Sequence, residues 1–239
     1  MKATKLASLG FLMPDDFPAK PYENVHSSLG KYMDTHKAQW TSFGSGWNGV
    51  RYRYRAMAEY DEQFTTSIKN HGNSPPYEER YKQDNSLFGF FVCAVSTIEC
   101  FFYSTYWIGV ILKPKEFPSD FKSLEGLYAK TIAHKFNANF QGDALTEQMT
   151  QCVKNTMYTA MKNMRDVLSH RGNLRRAFHQ GGERNGIATM PINPKDSPDK
   201  WQDDFSIDTD TTTLYHRWLR DNLTGLITAT DNFCKQKVK

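Results

Sequence analysis

One short stretch combines side chains that could handle a phosphodiester, Arg165-Asp-Val-Leu-Ser-His-Arg-Gly172. Arg165 offers a planar guanidinium that can bind an anion, and His170 offers an imidazole that titrates near neutral pH. Asp166 stands four residues before His170, so on a helix its carboxylate can hold the imidazole and favour the charged form. The stretch indicates an anion site with a titratable group. An ordinary solvated helix face with a surface ion pair is the alternative.

The helix that must position these groups is predicted from the spacing of apolar residues. They recur at three- and four-residue steps from Leu145 to Leu168, which is typical of an amphipathic helix in a bundle. We therefore predict one long helix from Asp143, a suitable N-cap, to Gly172, a suitable C-cap. Its polar face, opposite the apolar stripe, contains Lys162, Arg165, Asp166, Ser169 and His170.

Positive charge is concentrated around the same stretch. Residues 162–184 contain six Lys and Arg side chains but only two carboxylates, an excess that equals the net charge of +4 of the whole chain. Clustered guanidinium groups near a helix end can bind phosphate and give a salt-dependent attraction to nucleic acid. The predicted phosphate-binding residues are Lys162, Arg171, Arg175 and Arg176. A solvated basic loop is the alternative.

The remaining periodicity predicts an all-α fold of five main helices with little strand. The other four cover about 48–70, 77–112, 119–136 and 208 or 210 to the C-terminus, where Leu214 and Trp218 begin the core stripe. Residues 1–47, rich in Pro, Gly and Ser, form an N-terminal extension packed on a helical domain of residues 48–239. Residues 173–209 form an irregular insertion in which 186–190 could add a small strand.

The second helix is apolar nearly all round over residues 88–112 and must be buried. A transmembrane span is the alternative, since about 20 apolar residues suffice to cross a bilayer. Glu99 at its centre and the absence of a second such segment favour a central bundle helix. Glu99 is then a buried carboxylate that needs a partner, either for a structural hydrogen bond or as a member of the site.

The first long helix begins with the run Arg51-Tyr-Arg-Tyr-Arg55. Arginines interleaved with aromatic rings can neutralise phosphates and stack on bases. Tyrosines in the core and arginines in solvent are the alternative.

Cysteine usage and the N-terminus suggest a reducing compartment. Cys93, Cys100, Cys152 and Cys234 are scattered without a C-x-x-C pair, which predicts buried free thiols and no metal site. Residues 1–13 contain no convincing signal-peptide cleavage site. We therefore expect a cytoplasmic protein without a cofactor and without membrane association.

The motif around Arg165 resembles the R-x4-6-H signature of the HEPN superfamily. The likeness includes the polar Asp166 directly after the arginine, the extension His170-Arg171-Gly172 and a long apolar helix earlier in the chain. It covers roughly residues 48–239 and implies an up-and-down helical bundle. It also implies a metal-independent endoribonuclease with a composite Arg/His site at a homodimer interface.

The roles of individual residues follow from that resemblance. Arg165 would bind the scissile phosphate and His170 would transfer a proton, while Asp166 would orient His170 and Ser169 or Arg171 would contact phosphate. Toxin, phage-defence or RNA-processing roles are implied, with RNA or nucleotide as ligand and a cognate antitoxin or regulatory protein as a further partner. The alternative is a non-catalytic HEPN-like module that binds a nucleotide or a protein.

Overall fold

The computed structural model describes residues 3–5, 11–170, 176–178, 180, 188–192 and 202–238. These residues form eight α-helices and five short strands, so the predicted predominance of helix is confirmed. The helices are α1 (Ala19–Leu29), α2 (Lys37–His71), α3 (Tyr77–Leu112), α4 (Phe121–Glu125), α5 (Ala129–Asn139), α6 (Ala144–Lys154), α7 (Thr156–His170) and α8 (Asp210–Lys237). The strands are β1 (Ala3–Lys5), β2 (Leu12–Pro14), β3 (Ala177–Phe178), β4 (Ala188–Ile192) and β5 (Gln202–Ser206).

Helix α2 begins eleven positions before its predicted start at Asn48 and runs without interruption across the expected boundary between extension and domain. The glycines of this stretch had indicated a loop, but they lie inside the helix. A Cβ atom on Gly46 would come within 2.5 Å of Ser104 Oγ and 2.8 Å of the Tyr103 ring. Gly46 therefore allows close packing, and its helix-weakening effect is overridden by tertiary contact.

Helix α3 spans the predicted residues, since Pro75 and Pro76 precede it and Pro114 follows it. Within the described residues it is the one helix long and apolar enough to cross a membrane, and 61% of its most apolar 18-residue window is buried in the protein. Glu99 is half-buried rather than buried, which corrects the expectation for this residue. The helix has a more exposed side at Glu99 than its composition suggested.

The predicted helix from Asp143 to Gly172 is two helices, α6 and α7. Asn155 breaks it with an extended backbone, at φ −72° and ψ 135°, and its Oδ1 accepts a hydrogen bond of 2.9 Å from the Met157 N–H. An asparagine side chain that caps the next helix competes with continuation of the first. The break changes the buried stripe of α7, in which Tyr158, Met161, Met164 and Val167 face the interior.

Two further expectations about the C-terminal third are corrected. The insertion of residues 173–209 contains a three-stranded antiparallel sheet in the order β3-β4-β5, and β4 overlaps the small strand predicted at 186–190. In α8, Leu214 is 55% exposed, and the buried apolar stripe begins at Leu219. The first turns of α8 therefore contribute less to the core than the spacing indicated.

The chain divides into two compact units. The first comprises Met1, Ala56–Val95 and Thr159–Trp218. The second comprises Lys2–Arg55, Ser96–Tyr158 and Leu219–Lys239. The core of the first unit includes Met57, Phe64, Leu87, Phe90, Phe91, Met161 and Met164. The core of the second includes Trp47, Tyr54, Phe101, Phe117, Phe136, Leu223 and Phe233. Each unit thus has its own apolar interior.

Candidate functional site

Arg165 lies near the end of α7 in the first unit, and its guanidinium is bonded to the neighbouring carboxylate. Nε and Nη2 both donate to Asp166 Oδ1, at 3.1 Å and 3.0 Å. The side chains of Arg165 and Asp166 are only 22% and 17% exposed, so the pair is partly shielded from water. Asp166 therefore fixes the arginine, and the predicted contact of Asp166 with His170 remains a prediction.

His170 is the last residue of α7, and its side chain lies outside the described residues, as do Arg171, Gly172 and Arg175. The proton-transfer role expected for His170 therefore remains a prediction.

The buried face of α7 is shifted from the predicted stripe, since Val167 is buried whereas Leu168 is half-buried. Met161, Met164 and Val167 are buried in the first unit, at 0%, 1% and 7% exposure. Ser169 is exposed, whereas Lys162 is half-buried.

Arg176 occupies a different environment from the solvated or phosphate-binding position that was predicted. Its side chain is 4% exposed, and Nε donates to Asp84 Oδ1 at 3.0 Å. Nη1 donates to Gln83 Oε1 at 2.6 Å and to the Asn73 carbonyl at 3.2 Å. Burial lowers the pKa of Arg176, and the Asp84 carboxylate opposes that shift. A phosphate would have to displace these acceptors to reach Arg176.

Gln83 extends the Arg176 contacts into the end of α2. Its side chain is fully buried, and Nε2 donates to Ser67 Oγ at 3.2 Å and to the Gly72 carbonyl at 3.0 Å. Sequence reasoning missed both Gln83 and Asp84 as partners, because no local pattern joins them to an arginine 93 and 92 residues away. We call Arg176, Asp84 and Gln83 the Arg176 cluster.

A carboxylate–imidazole pair elsewhere in the first unit was also missed. His216 Nδ1 lies 2.6 Å from Asp61 Oδ2, and the two side chains are 18% and 15% exposed. A carboxylate in this position fixes the orientation of the ring. The residues are 155 positions apart, and neither stands in a motif that would have indicated the pair.

Glu99, the remaining predicted supporting residue, lies in α3. Glu99 belongs to the second unit, whereas Arg165 and Asp166 belong to the first. Across the described part of the chain, no group of three or more His, Cys, Asp or Glu side chains is placed to hold a metal ion.

Comparison of the chain with protein-family models, curated proteins and solved structures gave no match.

Proposed function

We propose that the protein is a metal-independent endoribonuclease of the HEPN type, in which Arg165 and His170 of two protomers form one composite site. The observation that supports it most is the position of Arg165. Its guanidinium is partly shielded and fixed by Asp166, five residues before a histidine that ends the helix. A predominantly helical chain is consistent with this family.

The chemistry assigns a separate role to each motif residue. The 2′-hydroxyl attacks the adjacent phosphorus and loses its proton to one imidazole, while the leaving 5′-oxygen receives a proton from the other. The products are a 2′,3′-cyclic phosphate and a 5′-hydroxyl end. A homodimer supplies two copies of His170, so one can act as base and the other as acid. Arg165 stabilises the negative charge that develops on the phosphoryl oxygens.

Asp166 makes the site selective for a highly charged ligand. In the free protein its carboxylate already binds Arg165 through two N–H donors. A phosphodiester must compete with that carboxylate for Arg165. The transition state carries more negative charge than the substrate, so it binds the guanidinium more strongly. Asp166 thereby holds Arg165 in position and keeps the resting site close to neutral.

The same pairing favours a second function, a non-catalytic HEPN-like module that binds a nucleotide or a protein partner. Arg165 is engaged by Asp166, and Arg176 is engaged by Asp84 and Gln83. Two of the predicted phosphate-binding cations are thus bonded inside the protein. A module that recognises a partner without turnover needs fewer available cations than a nuclease.

The decisive experiment is cleavage of single-stranded RNA with and without EDTA, at equal concentrations of folded protein. Cleavage should survive EDTA, and His170→Ala should lower its rate by about 10²- to 10⁴-fold because proton transfer is lost. Arg165→Ala should lower it at least as much, since charge stabilisation is lost. His134→Ala is the matched control, because this histidine of α5 is exposed and has no proposed role.

Each other result has a definite meaning. Equal cleavage by wild type and His170→Ala would show that another site or a contaminant is responsible. Absence of cleavage in all proteins, with RNA or nucleotide still bound, would favour the non-catalytic module. A monomeric mass in light scattering at micromolar concentration would contradict the composite site.

A further inference from the structure

The first half of α2 contains an arginine in an unusual setting within the second unit. Arg51 is 7% exposed, and its Nε and Nη1 atoms are buried without a hydrogen-bond partner in the part of the chain that the structure describes. No ion pair of Arg51 is found among those residues. A buried cation with unused donors is costly unless an anion or water compensates it.

Aromatic rings surround this guanidinium. Arg51 Cζ lies 5.0 Å from the centroid of the Phe11 ring and 5.3 Å from that of Tyr52. The two rings are 4.9 Å apart, and Tyr52 is 53% exposed. Cation–π contacts stabilise the arginine but leave its formal charge in place. One ring of the cluster therefore faces solvent next to a buried positive charge.

A second arginine lies on the same side of the helix. Arg55, one turn after Arg51, has its Cζ 4.9 Å from the Phe11 centroid and donates to the Leu12 carbonyl at 3.3 Å. The positive potential also acts on His26, whose pKa is lowered by burial and then by Arg51. We call Phe11, Arg51, Tyr52 and Arg55 the Arg51 cluster.

We propose that the Arg51 cluster is a binding site for single-stranded RNA, in which a base stacks on Tyr52 and the adjacent phosphate binds beside Arg55 above Arg51. Any base can stack on an exposed tyrosine ring, and each stacked base contributes about 1–3 kcal/mol to the free energy of binding. The half-buried Arg55 makes the direct contact with phosphate, while Arg51 adds charge at short range from beneath the rings. The choice of RNA as the ligand rests on the proposed function.

The test measures binding of a labelled oligouridylate by fluorescence anisotropy, with full-length His170→Ala as the background so that cleavage cannot interfere. Tyr52→Ala should weaken binding about 10-fold, within the range known for base stacking. Arg55→Ala should weaken binding and reduce its salt dependence. Tyr128→Ala is the matched control, because Tyr128 is 69% exposed in the same unit and should leave affinity unchanged.

Arg51→Met separates binding from stability. Methionine keeps an apolar stem among the rings and removes the uncompensated charge, so the melting temperature should stay the same or rise while RNA affinity falls. A lower melting temperature with unchanged RNA affinity would identify Arg51 as a structural residue and overturn the proposal.

The outcomes distinguish this proposal from the nuclease itself. Tyr52-dependent RNA binding without cleavage by wild type would support the Arg51 cluster and contradict the nuclease. Cleavage by wild type with RNA affinity independent of Tyr52 would overturn the Arg51 cluster and leave the nuclease. Binding of polyglutamate but not of oligouridylate would assign the surface to an acidic protein partner and also overturn it. Equal displacement of the RNA label by millimolar inorganic phosphate and by uridine nucleotide would exclude base stacking.

Discussion

The Nε atom of Arg176 donates a 3.0 Å hydrogen bond to Oδ1 of Asp84, joining residues that are 92 positions apart. The bond links α3 to the chain six residues beyond the end of α7. Arg176 was selected from the sequence as a phosphate ligand, but in the structure its buried side chain pairs with Asp84.

Removal of Asp84 should leave the Arg176 guanidinium buried without its counter-charge. Breaking a buried pair by deleting one partner costs about 3–5 kcal/mol, and the 28% exposure of Asp84 reduces this for Asp84→Ala to about 1–3 kcal/mol. Urea unfolding measures the change. Asp221→Ala is the control, since its pair with Arg220 is exposed and should change stability by about 1 kcal/mol or less. Equal losses in the two variants would contradict burial of Arg176.

The close packing of α3 gives a second prediction. A Cβ atom on Gly109 would lie 2.6–2.8 Å from three atoms of the Phe117 ring. Phe117 is fully buried and packs against Phe136 at a centroid distance of 5.1 Å, so its ring has little room to move. Gly109→Ala should therefore destabilise the protein by about 1–3 kcal/mol despite the better helix propensity of alanine.

Gly44→Ala provides the matched control for Gly109→Ala. A Cβ atom on Gly44 meets no atom within 4 Å, and Gly44 lies within α2. Alanine should then stabilise the helix by about 0.5–1 kcal/mol. A lower denaturant midpoint for Gly109→Ala together with a higher one for Gly44→Ala would support the packing explanation. Stabilisation by both substitutions would show that Phe117 can move aside.

The helix boundaries show which signals a sequence carries. Both ends of α3 were predicted because prolines fix them locally. The break at Asn155 was missed, since the apolar residues on either side keep helical spacing and only the side-chain bond to the Met157 N–H ends the helix. The start of α2 was missed because its glycines were interpreted as interrupting the helical periodicity, whereas Gly46 fits against Ser104.

The candidate site was predictable only where its relations are local. The helix that carries Arg165 and Asp166 follows from the spacing of apolar residues, and in the structure the two side chains are bonded to each other. The bond between Asp166 and Arg165 was not predicted, because it depends on side-chain rotamers that spacing does not specify. The contacts of Arg176 and of His216 depend on distant residues, so composition indicated a basic segment without showing which cations are already neutralised.

The buried thiols give a third prediction. Burial raises the pKa of Cys152 and of Cys234 to about 12, so at pH 8 only about one molecule in ten thousand carries either thiolate. Iodoacetamide at pH 8 should leave both residues unmodified in the folded protein, as mass spectrometry of peptides would show. Alkylation in urea should modify all four cysteines. Rapid modification of Cys152 without denaturant would contradict its burial.

The last prediction tests whether the proposed catalytic site is shared between protomers. Arg165→Ala and His170→Ala should each be nearly inactive, because one lacks charge stabilisation and the other lacks the proton-transfer group. When the two variants are mixed and allowed to exchange subunits, about half of the dimers should contain one of each.

In such a mixed dimer, one protomer supplies Arg165 and the other supplies His170. If the site is composite, the mixture should cleave RNA well above the sum of the two separate variants, although below wild type because one arginine and one histidine are missing. If each protomer contains a complete site, exchange cannot restore activity, since neither chain has both residues. A mixture of Arg165→Ala with wild type at the same total concentration measures the extent of exchange. No gain on mixing despite complete exchange would refute the shared site while leaving cleavage by a single protomer possible.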